Sequence, residues 1–302
     1  MKDNLLTIGP ITKDTIITKD NTYTQIGGAT FYQSWTFHQL NKQANSIITL
    51  GENDLELVKK FPNTKKVKII KKQQTMEYTN IYSENMQRTQ KAKIPNNTIT
   101  PHDIQQTKIN IQQYNTVLFS PLSTRDIPPE TIAYFKEKNI ETVLVAQGYL
   151  RSTDTQNNII EQEWKNKEKY LKYTDILSLD QNEMKQAFKI DTLTKNTIKK
   201  IIKKYSLKTL IMTKAEQGSD IYTQNKKIHI PAIKTKKMID PTGLGDTYIA
   251  AYISKKQDTK SIYERGLFAS ITAKYKLENK GPLKINKKII EKEFKERLNN
   301  TT

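Results

Sequence analysis

The residues best suited to chemistry lie in one run, Met238-Ile239-Asp240-Pro241-Thr242-Gly243-Leu244-Gly245-Asp246-Thr247-Tyr248-Ile249-Ala250-Ala251-Tyr252-Ile253. It starts extended and turn-prone and ends as an apolar helical repeat. Pro241 fixes one torsion before the turn, while Gly243 and Gly245 let the backbone approach a ligand without Cβ atoms. From Asp246 onward the residues suit a helix, with Ile249, Ala250 and Ile253 on one apolar face. The amides of Gly243, Leu244, Gly245 and Asp246 are then the unpaired donors of the first helical turn, a site for an anion. Asp246 sets a carboxylate beside that positive pocket. An acid next to an anion hole makes sense if it deprotonates a nucleophile whose product is negatively charged. A plain glycine-rich helix start with an acidic first-turn residue has the same short pattern, so the rest of the chain must decide.

The elements that would position this run alternate. Residues 5–8 read as a strand stopped by Gly9-Pro10, and 15–17 and 22–26 as extended segments. Gly27-Gly28 leads into a helix at 29–40, a strand at 46–50 and a helix at 53–61 that Asn53 can cap. Segments 67–70 and 75–82 are extended, and 84–93 is polar, poorly periodic and read as a loop. From residue 116 short apolar strands at 116–119, 141–145, 176–179 and 209–212 alternate with helices at 128–138, 162–171, 181–188 and 193–205. An antiparallel hairpin fits 219–223 and 227–230, and helices close the chain at 245–256, 261–276 and 287–298. This predicts an α/β fold, a mostly parallel sheet covered by helices on both faces. Such sheets bind ligands at the carboxyl ends of their strands, where the turn at 243–246 would lie.

With 302 residues the chain can bury a sizeable core, and its apolar share of 35% is low but strongly periodic. No apolar run reaches membrane-spanning length, and Met1-Lys2-Asp3-Asn4 leads into a strand rather than resembling a secretory signal. The absence of cysteine excludes disulfides and thiolate metal sites and fits a cytoplasmic protein. His38, His102 and His229 are far apart in sequence and suggest no metal site or triad. The net charge of +19 has two readings, a surface for polyanions or solvated faces filled with lysine. Lysines come in short groups such as Lys59-Lys60, Lys71-Lys72 and Lys203-Lys204, with no aromatic-interleaved stripe, so a nucleic-acid partner is not expected.

Asp-Pro-Thr-Gly-Leu-Gly-Asp at 240–246, running into an apolar helix, resembles the C-terminal signature of the PfkB (ribokinase-like) family of sugar and nucleoside kinases. Leu244 stands where alanine is commoner there. The likeness covers the chain from Ile8 to Pro282. It implies a three-layer α-β-α ribokinase-like fold as one domain over 1–302, with a small β lid from segments at about 15–26 and 67–83. Closing such a lid excludes water and keeps the phosphoryl group from hydrolysis. The family's closing aspartate, here Asp246, is the catalytic base. Gly27-Gly28-Ala29 is similar to the glycine signature that lies against the acceptor, and Asp14 falls where an aspartate binds acceptor hydroxyls. A carboxylate suits vicinal hydroxyls because it accepts from both. Tyr32 replaces an asparagine that contacts the sugar in ribokinase-type members.

Further matches follow the strands. Gln147-Gly148-Tyr149-Leu150-Arg151 looks like a segment of a prokaryotic subgroup, and Arg151 can grip a phosphate or carboxylate bidentately, or simply form a surface ion pair. Asn85 and Arg88 are similar to the same subgroup. Asp180-Gln181-Asn182-Glu183 stands where the family has Asn-x-x-Glu near metal and phosphates; Glu183 would order Mg²⁺ or water, and the pair also makes a good helix cap. Thr213, Ala215 and Gly218 match a Thr-x-Gly-x-x-Gly nucleotide segment, with Ala215 in place of the first glycine. Gly266 to Lys276 and Gly281 resemble the wall of the adenine pocket. No Gly-x-x-x-x-Gly-Lys-Ser/Thr phosphate loop is present.

The resemblance implies an ATP- and Mg²⁺-dependent kinase acting on a hydroxyl of a sugar, polyol or nucleoside, with no membrane partner. Lid strands could pair between two subunits as a homodimer. The alternative is a binding or regulatory protein on the same fold whose turnover is weak, with Tyr32, Asp180 and Ala215 as its departures.

Overall fold

The computed structural model describes residues 4–82, 88–235 and 237–300. Its first part contains β1 (Asn4–Pro10), β2 (Thr12–Ile17), β3 (Thr22–Gly27), α1 (Ala29–Gln39) and β4 (Gln43–Gly51). Next come β5 (Val67–Lys72), β6 (Met76–Tyr82), β7 (Arg88–Lys93), α2 (Pro101–Gln106), β8 (Thr116–Phe119), α3 (Pro129–Lys136) and β9 (Glu141–Val145). A hairpin of β10 (Arg151–Thr153) and β11 (Ile159–Glu161) leads to α4 (Lys167–Leu171), β12 (Ile176–Asp180), α5 (Gln181–Phe188) and α6 (Lys195–Tyr205). The chain ends with β13 (Thr209–Thr213), β14 (Ser219–Tyr222), β15 (Lys227–Ile230), α7 (Leu244–Lys255), α8 (Ile262–Leu277) and α9 (Lys287–Asn299).

A nine-stranded sheet runs β15-β14-β13-β12-β9-β8-β1-β4-β5. The strands from β5 to β13 are parallel, and β14 and β15 add an antiparallel edge. Side chains on a strand alternate between faces, and here both faces are apolar. Leu5, Leu118, Val143, Ile176 and Ile211 enter one core with α7, α8 and α9. Their neighbours Leu6, Phe119, Leu144, Leu177 and Leu210 enter the other, with α3, α5 and α6. The result is three layers, α-β-α. Helix α7 is buried from Thr247 to Lys255, not on one face alone. It lies between α1 and α8, and an all-round small and apolar surface suits that place.

A second sheet of four strands, β3-β2-β6-β7, stands apart from the first. The chain enters it directly from β1 through Ile11 and returns through Gly27-Gly28 into α1. Two expectations need correction. Residues 67–72 pair with β4 at the edge of the main sheet, so only 76–82 of the second lid segment lies in the small sheet. Residues 88–93, expected as loop, pair with β6 as a strand despite their polarity, because one face is exposed. Of the motif positions there, Asn85 and the side chain of Arg88 lie outside the described residues. The 53–61 helix is 3₁₀ with a kink at Asp54, and it starts from Gly51 rather than an Asn53 cap.

Candidate active site

The strand register brings the expected residues to one edge. Asp180 and Thr213 are paired neighbours at the carboxyl ends of β12 and β13. Gln147 and Arg151 follow the end of β9, and Gly9-Pro10 ends β1. The segment before α7 crosses these ends. Its Asp240 carboxylate accepts from the amides of Thr242 and Gly281, each at 2.9 Å, which folds the turn back on itself. Gly243 then takes φ 73°, the left-handed conformation glycine supplies at low cost. A Cβ there would stand 2.3 Å from the Tyr32 ring, so this glycine also admits the tyrosine.

The amides of Gly243, Gly245 and Asp246 have no acceptor among the described residues, so three donors at the start of α7 are available to a ligand. Leu244 is a correction to the four-donor expectation, because its amide donates to the Pro241 carbonyl at 3.2 Å. A Cβ on Gly245 would meet no atom within 4 Å, so open space faces this part of the turn.

Asp246 is half-buried in the first turn of α7. Burial, then the Glu183 charge, pushes its carboxyl up to about 7, against the pull of Arg151 and Lys276. Asp246 therefore feels three charges that come from three other parts of the sequence. Glu183 forms the expected cap: Asp180 accepts from its amide at 2.7 Å, and its carboxylate accepts from the Asp180 amide at 2.8 Å. Its other oxygen accepts from Gln147 at 3.0 Å. Burial and the Asp180 charge raise Glu183 above the usual carboxylate range. Arg151 has no ion pair among the described residues, so the surface-pair alternative finds no support, and its charge acts on Asp246 and Glu183.

Asp14 is buried on β2, where Thr12 donates to it at 2.6 Å. A Cβ on Gly27 would stand 2.3 Å from the Asp14 carboxylate, and one on Gly28 (φ 96°) 2.8 Å from the Pro10 carbonyl. The glycine pair therefore lets the small sheet close on β1. A cavity of about 480 Å³ lies between that sheet and the segment 239–242, with Tyr23, Gln25 and Tyr82 on one side and Asp240 and Thr242 on the other. Lys280 spans it, 3.6 Å from the Tyr23 ring. A hollow of about 440 Å³ at Asn115 and Asn139 lies at the opposite, amino ends of the strands and holds no catalytic group.

Beyond β13, Ala215 has φ 48° and Gly218 φ 87°. The turn therefore keeps the shape that glycine would favour at 215, at a cost of about 1 kcal/mol. Gly266 has a packing role: a Cβ there would be 2.5 Å from Ile230, so it seats α8 on the antiparallel edge.

Sequence reasoning gave no role to Lys276. This fully buried lysine donates to the Asp240 carbonyl at 2.6 Å and lies 3.3 Å from its carboxylate. The signal was in the spacing, since Phe268, Thr272 and Lys276 recur every four residues on the buried stripe of α8.

The sequence profile of the pfkB family carbohydrate kinases matches residues 63–288. The chain belongs to the PfkB family. This PfkB protein is 35% identical over 116 residues to a nucleoside kinase of Methanocaldococcus jannaschii, covering 37% of the chain and 35% of that relative. It is 36% identical over 110 residues to the bifunctional protein HldE of Sulfurimonas denitrificans, covering 34% and 23%. The chain thus aligns with well under half the length of either curated relative. Solved structures match far more of the PfkB chain. Ribokinase of Arabidopsis thaliana, complexed with ribose and ATP, superposes with a TM-score of 0.78 at 19% identity, over 98% of this chain and 99% of that one. A pyrophosphate-dependent kinase in the ribokinase family, complexed with a pyrophosphate analog and myo-inositol, gives 0.78 at 22% identity over 95% and 99%. The fold is ribokinase-like. Among the described residues no helix is long and apolar enough to cross a membrane.

Proposed function

We propose that this PfkB protein transfers the γ-phosphoryl group of ATP to a hydroxyl of a small sugar, polyol or nucleoside. One observation carries the reading: a half-buried carboxylate, Asp246, stands in the same helical turn as three amides that have no acceptor among the described residues. Asp246 takes the proton from the acceptor hydroxyl as its oxygen attacks phosphorus. The amides of Gly243, Gly245 and Asp246 face the charge that builds on the transferred group. Arg151 supplies a planar guanidinium for a phosphate oxygen. The acceptor enters between the small sheet and the segment 239–242; Asp14 on β2, with Gly27 packed against it, lies outside the lining of that cavity and would bind acceptor hydroxyls from the base of the small sheet. Thr213, Ala215 and Gly218 border the nucleotide beside Asp180.

Among the described residues no three His, Asp or Glu side chains gather as a metal cluster. Glu183 fits a magnesium ion that takes most ligands from phosphate and water, the arrangement this ion prefers. Bound with ATP, Mg²⁺ neutralises charge on the phosphate oxygens. Glu183 would orient its hydration shell, and Gln147 holds that carboxylate in place.

The test is ATP consumption with a panel of sugars, inositols and nucleosides, for the parent and Asp246→Asn. Turnover with one acceptor, lowered about 10²–10⁴-fold in the variant, is expected. A folded variant as fast as the parent would remove the base assignment. Tight acceptor binding without turnover would favour the regulatory alternative.

A further inference from the structure

We infer that Lys276 is a positioning residue, a built-in cation that holds the start of the 240–246 turn so that its amides stay aimed at the phosphoryl group. The inference rests on reading that turn as the phosphate-binding element. A fully buried lysine needs compensation, and among the described residues its oxygen partners are both on Asp240, at the start of the turn. Its Nζ donates to the Asp240 carbonyl at 2.6 Å and pairs with the Asp240 carboxylate at 3.3 Å. The same carboxylate accepts from the amides of Thr242 and Gly281. One ammonium therefore closes a ring that joins α8, the segment after it and the turn.

Packing completes the ring. The amides of Ile239 and Asp240 both donate to the Leu277 carbonyl, at 2.9 and 3.3 Å, so the backbone next to Lys276 also holds the turn. The Lys276 ammonium lies 5.6 Å from the centre of the Tyr32 ring, and Gly243 lies against that ring. Lys276, Tyr32 and Gly243 thus make one contact path from the buried cation to the anion hole. Burial pulls Lys276 below its ordinary range while the Asp240 charge holds it up. Two oxygen acceptors favour the ammonium form. Asp240 accordingly lies below the usual carboxylate range: burial opposes this, but Lys276 and the two amides prevail. The Lys276 charge also lowers the Asp246 carboxyl, next to Arg151 and against Glu183, so the same cation reaches the base through space.

Loss of the ammonium should loosen the turn without touching a ligand. The probe is inorganic pyrophosphate, whose binding is measured by calorimetry on the full chain, with no need for an acceptor. Lys276→Met should weaken that binding about 10–100-fold, the range expected when a charge-assisted hydrogen bond of about 1.5–3 kcal/mol is lost. The variant leaves the Asp240 carboxylate uncompensated and is expected to be less stable. Asp240→Asn with Lys276→Met removes both charges and should recover stability but not anion affinity. Ammonium or methylamine added to Lys276→Ala should restore part of the affinity, because a small cation fits between the two oxygens. With an active acceptor, the acid limb of kcat/KM in Lys276→Met should move to higher pH, a change that mere loosening of the core would not cause. Parent-like pyrophosphate affinity in either the single or the double variant would overturn the inference, as would failure of rescue in folded Lys276→Ala. Acceptor turnover that is absent in the parent, with pyrophosphate binding still dependent on Lys276, would count against the kinase reading and leave the positioning role standing.

Discussion

Replacing Asp246 by Asn should raise stability while it removes turnover, and the size of the gain should depend on pH. The folded carboxyl is raised from 3.8 to about 7, chiefly by burial. A group held protonated by the fold contributes stability below its unfolded pKa, and that stability is lost as pH rises through the folded value. Raising a carboxyl by about three pH units corresponds to roughly 4 kcal/mol, at ~1.4 kcal/mol per unit. Asp246 is only half-buried, so solvent screening brings the expectation down to roughly 1–3 kcal/mol. Asn has nearly the same shape and never ionises. The variant should therefore exceed the parent in stability by roughly 1–3 kcal/mol near pH 8, by about a third of that at pH 5, and by only about an eighth of it at pH 4. Urea unfolding of both proteins from pH 4 to 8.5 measures the difference directly. The same group predicts the kinetics, since a base must be ionised: kcat/KM should rise through about pH 7 and level off above it. A stability difference that stays flat with pH, or grows on acidification, would refute the reasoning.

The other expectations use single sites. Tyr32→Phe should stabilise the ligand-free protein by about 1 kcal/mol, because the buried Tyr32 hydroxyl has no hydrogen-bond partner among the described residues; an unchanged urea midpoint would contradict this. Ala215→Gly should gain up to about 1 kcal/mol by relieving the positive φ, less what the freer unfolded chain takes back. Its nucleotide affinity should be unchanged in calorimetry. Gly245→Ala should leave the melting temperature within a few degrees, as its Cβ meets nothing, yet lower kcat by about tenfold or more by filling space that the transferred group needs.

Much of the fold was legible because its signals are local. Short apolar strands alternating with helices require a parallel sheet covered on both faces, and the strand and helix positions from 116 onward follow that pattern. The glycine positions were equally legible, for glycine is used where a Cβ would strike backbone or a ring, as at Gly28 and Gly243. The placement of 67–72 was not, since a short extended segment of valine, isoleucine and lysine fits either sheet and only its partner β4 decides. Residues 88–93 are polar because one face is exposed, which hides a strand from periodicity.

The sequence by itself determined which residues could do the chemistry, since the order Asp-Pro-Thr-Gly-Leu-Gly-Asp dictates a turn, free amides and a carboxylate within one helical turn. Tertiary structure decided what surrounds them. Leu244 drops out of the set of free amides because the turn bends far enough for its amide to reach the Pro241 carbonyl. Glu183, Arg151 and Lys276 act on Asp246 because the segments after β9 and β12 converge there with α8, and electrostatic influence follows distance in space rather than separation along the chain.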